Sequence, residues 1–258
     1  MGASWPSDAR RCYRLFPQLT APQLTGKFDR TTRSNGDETM KIGIIGAGYI
    51  GRALAELASN AGYEVMISNS RGPDTLSSIA MTTRSTAGTV QEAAAFGDIV
   101  FIAIPFKHRG QLNPADFAGK IVGDANNYYP QREGNIPELD NRETTTSEMM
   151  QALLPGAKVV KAFNAILARD LERDGKPAGT AGRRALPIAG DDPEAKRLVA
   201  EFHDKIGYDV VDGGTLADSW RFERAKPGYC RPLDKNDMVA ALAAAERDKE
   251  VAEGSWRP

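Results

Sequence analysis

Hydrophobic and polar positions follow a regular pattern from residue 41 onward. Short apolar runs predict strands, and stretches with apolar residues at helical spacing follow most of them. The run DIVFIAI is nearly unbroken, which is typical of a strand buried on both faces of a parallel sheet. Strands that alternate with helices predict an α/β fold with a Rossmann-type doubly wound parallel sheet. The predicted strands span 41–46, 64–68, 98–104, 119–125 and 157–163.

The pattern changes after Asn164. Two further strands, RALPIAG and YDVVDGG, flank the amphipathic segment DPEAKRLVAEFHDKIG, and an Ala-rich helix is predicted near 234–252. We therefore predict a nucleotide-binding Rossmann domain over residues 40–164. A smaller C-terminal α/β portion over residues 165–258 is expected to cover the substrate.

Residues 1–39 lack this periodicity and end in the polar run TTRSNGDET. Met40 directly precedes the first predicted strand. These observations predict that 1–39 is a disordered extension, or that the start of the chain is mis-assigned and Met40 is the functional start.

Charge and composition narrow the functional classes. Lys plus Arg (33) nearly balances Asp plus Glu (34), so charge gives no reason to expect nucleic acid or a membrane surface as a partner. The longest apolar run, IVFIAIPF, is too short to span a bilayer, and a cytoplasmic protein is expected. Cys12 and Cys230 lie far apart and the chain has only two histidines, so no metal site is expected.

A glycine-rich string, GAGYIG, lies between the first predicted strand and the first predicted helix. In this context the first glycine permits a tight turn, the second lets the backbone approach a pyrophosphate, and the third lets helix and strand pack closely. The helix N-terminus offers free N–H groups to the phosphates. The alternative is a glycine turn that merely joins two elements. The candidate phosphate-binding residues are Gly46, Ala47, Gly48, Tyr49, Ile50 and Gly51.

Asn69, Ser70 and Arg71 follow the second predicted strand, where a Rossmann domain that binds NAD(H) usually carries an Asp or Glu. A carboxylate there would bind both ribose hydroxyls and repel a 2′-phosphate. Asn and Ser can donate hydrogen bonds, and Arg71 can bind a phosphate with its planar guanidinium. The cluster therefore favours NADP(H) over NAD(H). The alternative is a plain polar loop, since these residues are also turn formers.

Ligands of open parallel sheets bind at the carboxyl ends of the strands, so the residues after the later strands are candidates to face the nicotinamide. Turn chemistry is the alternative for Asn126, and Lys161 is either an active-site cation or an edge residue. No carboxylate pair or nucleophile–base arrangement stands out, which favours hydride transfer governed by proximity and orientation. The candidates are Ile104, Pro105, His108, Asn126, Ala162 and Asn164.

Several motifs together resemble one family. MKIGIIGAGYIGRALAELASNAGYEVMISNSR, AIPFKH, LPGAKVVKAFN and IAGDDPEAK…IGYDVVDGG are similar to the NADPH-dependent coenzyme F420 reductases, and to the NADPH domain of six-transmembrane metalloreductases. The resemblance implies an NADP-binding Rossmann domain and hydride transfer to a small flavin-like acceptor such as deazaflavin F420. It also implies that cofactor contacts lie at the glycine turn, at 69–71, and at Pro105, His108 and Asn164.

Other functions stay open at this point. One is reduction of a small imine or carbonyl, or of a ferric or flavin acceptor. Another is a redox sensor that binds NADP(H) without turnover, for which the same glycine turn would serve equally well. The sequence also leaves a homodimer open.

Overall fold

The computed structural model describes residues 40–252, 254 and 255, so the predicted extension 1–39 lies outside the described residues. Within them, one eight-stranded sheet has the order β3-β2-β1-β4-β5-β6-β7-β8. All neighbouring strands pair in parallel except β6 and β7, which pair antiparallel. The strands are β1 (Lys41–Ile45), β2 (Glu64–Ser68), β3 (Thr86–Gly88), β4 (Ile99–Ile102), β5 (Ile121–Asp124), β6 (Lys158–Lys161), β7 (Ala185–Gly190) and β8 (Asp209–Asp212).

Helices connect the strands, and several begin at side-chain caps that the sequence supplies. Thr89 forms a capping box with Glu92, and Thr145 forms one with Glu148. Asp192 accepts a hydrogen bond from the backbone N–H of Ala195. The helices are α1 (Tyr49–Asn60), α2 (Ser77–Thr83), α3 (Val90–Phe96), α4 (Pro130–Glu133), α5 (Pro137–Asp140), α6 (Thr146–Leu153), α7 (Ala168–Arg173), α8 (Pro193–Lys205) and α9 (Lys235–Ala243). Short 3-10 helices span Pro73–Leu76, Phe106–Gln111, Pro114–Phe117 and Leu216–Phe222.

The sheet is buried on both faces. Ile42 and Ile44 of β1 belong to a core cluster with residues of α1 and α8, whereas Ile45 packs with residues of α3 and α6. This alternation follows from the two-residue period of a strand. The predicted doubly wound α/β fold is therefore confirmed.

Two elements differ from the prediction. The short edge strand β3 was not predicted, because TAG has no apolar run. The last helix ends at Ala243 rather than near residue 252. Buried Lys226 donates hydrogen bonds from Nζ to the carbonyl oxygens of Glu246, Arg247 and Lys249, at 2.8, 2.9 and 2.7 Å. These tertiary contacts keep residues 246–249 out of the helix that the local sequence favours.

The C-terminal strands extend the same sheet as the N-terminal ones. Val160 and Lys161 of β6 pair with Gly190 and Ala189 of β7. The expected boundary near Asn164 falls just where pairing changes from parallel to antiparallel, and a division into two domains there stays a prediction.

Across the described part of the chain, no helix combines the length and the apolar character needed to cross a membrane.

Candidate functional site

The glycine turn connects β1 to α1, and two of its glycines are required by protein contacts. Gly46 has φ of +109°, and a Cβ there would lie 2.4 Å from the carbonyl oxygen of Ala103. A Cβ on Gly51 would lie 1.9 Å from the carbonyl oxygen of Gly46. The predicted roles of these two residues, in the tight turn and in helix–strand packing, are confirmed.

Gly48 is different, because a Cβ there would meet no protein atom within 4 Å. It is the exposed N-cap residue of α1, with no side-chain cap and no acidic residue in the first turn of the helix. The backbone N–H groups of this turn are thus open to a ligand, and the helix dipole favours a negative one. The space that glycine leaves at position 48 belongs to a cleft rather than to the protein core.

This first cleft has a volume of about 820 Å³. None of the described residues that line it is an Asp or a Glu, and its titratable side chains are Arg71 and His108. The cleft therefore fits a phosphate-bearing ligand without like-charge repulsion. Its lining residues are Ile45, Gly46, Ala47, Gly48, Asn69, Ser70, Arg71, Gly72, Thr89, Val90, Ala103, Ile104, Pro105, His108, Gln111 and Leu112.

The loop after β2 presents Arg71 to this cleft. Asn69 Oδ1 accepts a hydrogen bond from the Arg71 backbone N–H at 2.8 Å, and Asn69 Nδ2 donates to Thr75 Oγ1 at 2.9 Å. Asn69 therefore shapes the loop, as an Asx turn does. Arg71 is exposed, and its guanidinium makes no ion pair with any other described residue. Its charge is available to a ligand.

Two buried amides lie at the ends of neighbouring strands. Asn126, after β5, accepts a hydrogen bond from the Ile104 backbone N–H at 3.0 Å, while its Nδ2 has no partner among the described residues. Asn164, after β6, donates to Asn127 Oδ1 and to the Phe222 carbonyl at 3.2 and 3.0 Å, while its Oδ1 has none. Buried polar atoms of native proteins rarely stay unpaired. One free donor and one free acceptor complement a carboxamide.

His108 lies in the 3-10 helix Phe106–Gln111 and is half-buried at the cleft. Its Nδ1 is 3.2 Å from Gln111 Nε2. The backbone N–H of Phe106 donates to the fully buried carboxylate of Glu133 at 3.2 Å, which fixes the start of this helix.

A second cavity of about 630 Å³ opens beside the glycine turn. Its wall includes Phe163, which has φ of +59° and stacks on buried His203 with ring centroids 3.9 Å apart. Burial lowers the pKa of His203 to about 4, so the ring is neutral at pH 7. The lining residues are Tyr49, Ile50, Ala125, Asn127, Tyr129, Phe163, Asn164, Ile166, Leu167, Ala168, Arg169 and Tyr229.

Beneath the strand ends lies a buried ionic network. Lys161 is fully buried, and its Nζ is 3.3 Å from Asp124 Oδ2, 2.7 Å from the Asn126 carbonyl and 2.6 Å from Thr146 Oγ1. Thr146 Oγ1 in turn lies 2.7 Å from Glu223 Oε1, in the C-terminal portion. Neither expectation for Lys161 was right. The residue lies on β6, inside the sheet rather than at an edge, and it lines neither cavity. Its ammonium group is instead paired within this buried network.

The structure brings most predicted site residues to the two cavities. The first cleft contains Gly46, Ala47, Gly48, Asn69, Ser70, Arg71, Ile104, Pro105 and His108. The second cavity contains Tyr49, Ile50 and Asn164. Gly51, Asn126 and Ala162 are buried and line neither cavity.

Sequence reasoning missed other lining residues. Thr89 lines the first cleft because it follows the unpredicted strand β3. Tyr129 lies only a few residues beyond the end of β5, so extending the strand-end rule would have found it. Its hydroxyl oxygen lies 2.6 Å from that of Tyr229, and no local signal in the sequence marks this contact.

Comparison with known proteins identifies relatives. The sequence profile of the family "NADP oxidoreductase coenzyme F420-dependent" matches residues 41–128. The hypothetical protein SMa0349 of Sinorhizobium meliloti is 37% identical, with a TM-score of 0.60, over 70% of this chain and 87% of that one. A protein of Arthrobacter sp. FB24, provisionally named an F420-dependent NADP-reductase, is 28% identical, with a TM-score of 0.59, over 69% of this chain and 86% of that one.

A curated relative is longer than this chain. Metalloreductase STEAP3 of Rattus norvegicus is 31% identical over 207 residues, which are 80% of this chain. The chain spans 40% of the length of that protein.

Proposed function

Because the chain belongs to the family of coenzyme F420-dependent NADP oxidoreductases, we propose that it transfers hydride between NADP(H) and a flavin-like acceptor such as a deazaflavin. One observation carries the proposal: the two cavities adjoin at the glycine turn. Ala47 and Gly48 line the first cleft, and the next two residues, Tyr49 and Ile50, line the second cavity. Two ligands bound there would meet at the strand ends, where proximity and orientation promote hydride transfer.

The first cleft suits the phosphates of NADP(H). The pyrophosphate would lie over Gly48, against the N–H groups at the start of α1. Arg71 would bind the 2′-phosphate, and no carboxylate among the described lining residues opposes it. Asn69 holds the loop that carries Arg71.

The strand ends suit the nicotinamide. Ile104 and Pro105 offer apolar contact to a flat ring, and the unpaired Oδ1 of Asn164, which lines the second cavity, would accept a hydrogen bond from its carboxamide. Bound NADPH supplies the hydride, and these residues hold and orient its ring toward the second cavity.

The second cavity suits a flat aromatic acceptor. Ile50, Phe163 and Ile166 give it apolar walls, and Arg169 adds positive charge. Apolar walls exclude water from the reacting atoms, which limits competing reactions.

Turnover with defined acceptors tests the proposal. We expect the NADPH absorbance band to decay when the purified chain receives oxidised F420 or riboflavin, and to decay more slowly with ferric chelate or 1-pyrroline. NADPH binding without oxidation by any of the four acceptors would refute hydride transfer and support the redox-sensor alternative. Fast turnover with 1-pyrroline alone would support imine reduction instead.

Cofactor preference tests the role of Arg71. We expect Arg71→Ala to weaken NADPH binding roughly ten- to hundred-fold and to leave NADH binding nearly unchanged, since a charge-assisted contact contributes about 1.5–3 kcal/mol. Kd values from protein fluorescence measure the effect. Arg173→Ala is the control, because Arg173 is exposed and lines neither cavity. Equal losses for both cofactors would contradict the assignment.

A further inference from the structure

The second cavity contains few groups that can release a proton. Among its described lining residues there is no Asp, Glu, His, Cys or Lys, and the guanidinium of Arg169 does not give up its proton. The remaining donors are the hydroxyl groups of Tyr49, Tyr129 and Tyr229. Hydride adds negative charge to an acceptor, and a proton is needed to neutralise it. A side-chain proton donor in this cavity must therefore be a tyrosine.

Two of these tyrosines form a hydroxyl pair. The hydroxyl oxygens of Tyr129 and Tyr229 are 2.6 Å apart, although the residues are separated by 100 positions in the sequence. Tyr229 is buried, with 4% exposure, whereas Tyr129 is half-buried and can exchange its proton with water. Tyr49, in contrast, is 83% exposed.

The surroundings give the two hydroxyls different roles. Burial raises the pKa of Tyr229, so it keeps its proton and can donate a hydrogen bond to its partner. The guanidinium carbons of Arg132 and Arg224 lie 4.5 and 5.8 Å from the ring centroid of Tyr129. Both guanidinium groups therefore lie within cation–π distance of the Tyr129 ring.

We propose that Tyr129 is the proton donor to the acceptor in the second cavity, and that Tyr229 is its positioning residue. The proposal rests on the hydride transfer proposed above. As two electrons arrive with the hydride from NADPH, the O–H bond of Tyr129 breaks and its proton forms a new bond to the acceptor. The electron pair stays on the Tyr129 oxygen, which accepts a hydrogen bond from Tyr229 until water returns the proton. In the reverse direction, the Tyr129 oxygen accepts the proton.

Phenylalanine variants of the two paired tyrosines, and of one tyrosine outside both cavities, test this role. At saturating NADPH and oxidised F420 we expect Tyr129→Phe to lower kcat roughly 10²- to 10⁴-fold, the usual contribution of general acid catalysis. Tyr229→Phe should cause a smaller loss, since the donor itself remains. Tyr63→Phe, a matched control at a half-buried tyrosine that lines neither cavity, should stay within about threefold of the wild type. Kd for NADPH should be unchanged in all three, because none of these residues lines the first cleft.

Two further measurements separate proton donation from a structural role. The rate of Tyr129→Phe should rise with the concentration of imidazolium buffer, which can replace a missing acid, while the wild-type rate should not. Without NADPH, Tyr129→Phe should bind oxidised riboflavin roughly fivefold more weakly, as loss of one neutral hydrogen bond implies.

The outcomes distinguish this proposal from the proposed function. A Tyr129→Phe rate within about threefold of the wild type would overturn the proton-donor role and leave hydride transfer intact. If neither the wild type nor any variant oxidised NADPH although NADPH bound, the proposed hydride transfer would be refuted. In that case, equal riboflavin affinity in the wild type and Tyr129→Phe would also overturn the role of the tyrosine pair. Weaker riboflavin binding by Tyr129→Phe would instead support contact between the Tyr129 hydroxyl and the acceptor.

Discussion

Acid should destabilise this protein through His203. The side chain is fully buried in α8, its Nδ1 donates to the carbonyl oxygen of Val199 at 2.7 Å, and its Nε2 has no partner among the described residues. Protonation would place an unpaired charge in the core against Phe163, at the wall of the second cavity. The perturbation we propose is His203→Phe, which keeps an aromatic ring there but cannot titrate.

The magnitude follows from the pKa of His203, which burial lowers from 6.5 to about 4. Between these values the unfolded state binds more protons than the native state, so the free energy of unfolding falls as the pH falls. The contribution of neutral His203 to the free energy of unfolding is fully present above pH 6.5 and is lost as the pH falls toward 4. The whole difference corresponds to about 3 kcal/mol at 1.36 kcal/mol per pKa unit, of which about 2 kcal/mol is lost by pH 5.

Urea unfolding at pH 7 and pH 5, followed by circular dichroism, measures this contribution. We expect the wild type to lose about 2 kcal/mol more between these pH values than His203→Phe does. His108→Gln is the control, since the other histidine of the chain is only half-buried, and it should behave like the wild type. Equal losses in the wild type and His203→Phe would refute the reasoning.

Two pairs of variants test other parts of the structure. Gly48→Val should fold with an unchanged Tm but lose binding of both NADPH and NADH, because its side chain would enter the cleft. Gly51→Ala should instead lower the free energy of unfolding by about 1–3 kcal/mol, because its Cβ collides with the Gly46 carbonyl. Retained NADPH binding by Gly48→Val would contradict the placement of the pyrophosphate. Lys161→Met should destabilise by about 3–5 kcal/mol in urea unfolding, because it leaves Asp124 buried and unpaired. Lys158→Met, on the same strand but in an exposed ion pair with Asp192, should cost less than about 1 kcal/mol, and equal losses for the two lysines would refute the importance of the buried pair.

Local sequence patterns predicted the features that depend on neighbouring residues. Apolar runs located seven of the eight strands, and the missed strand β3 is three residues long with one edge residue exposed. The string GAGYIG identified the turn, since Gly46 and Gly51 meet steric requirements that any chain of this shape shares. The place of Arg71 could be predicted because the residue follows the second strand, and in this fold the end of that strand lies near the glycine turn.

Tertiary structure decided what distant segments do to one another. Asn126, Lys161 and Ala162 were candidates by their position at strand ends, yet all three are buried and line neither cavity. Whether a strand-end side chain faces a ligand or the core depends on the pleat and on what packs above it, and no local pattern records either.

The Tyr129–Tyr229 pair shows the same limit most clearly. Each tyrosine alone is an ordinary aromatic residue, and only the folded chain brings their hydroxyls within 2.6 Å. The sequence determined the α/β fold and the glycine turn, because hydrophobic periodicity and glycine geometry act over a few residues. The second cavity and its hydroxyl pair were decided by packing of the C-terminal segment against the strand ends, because that packing joins residues whose separation in sequence carries no signal.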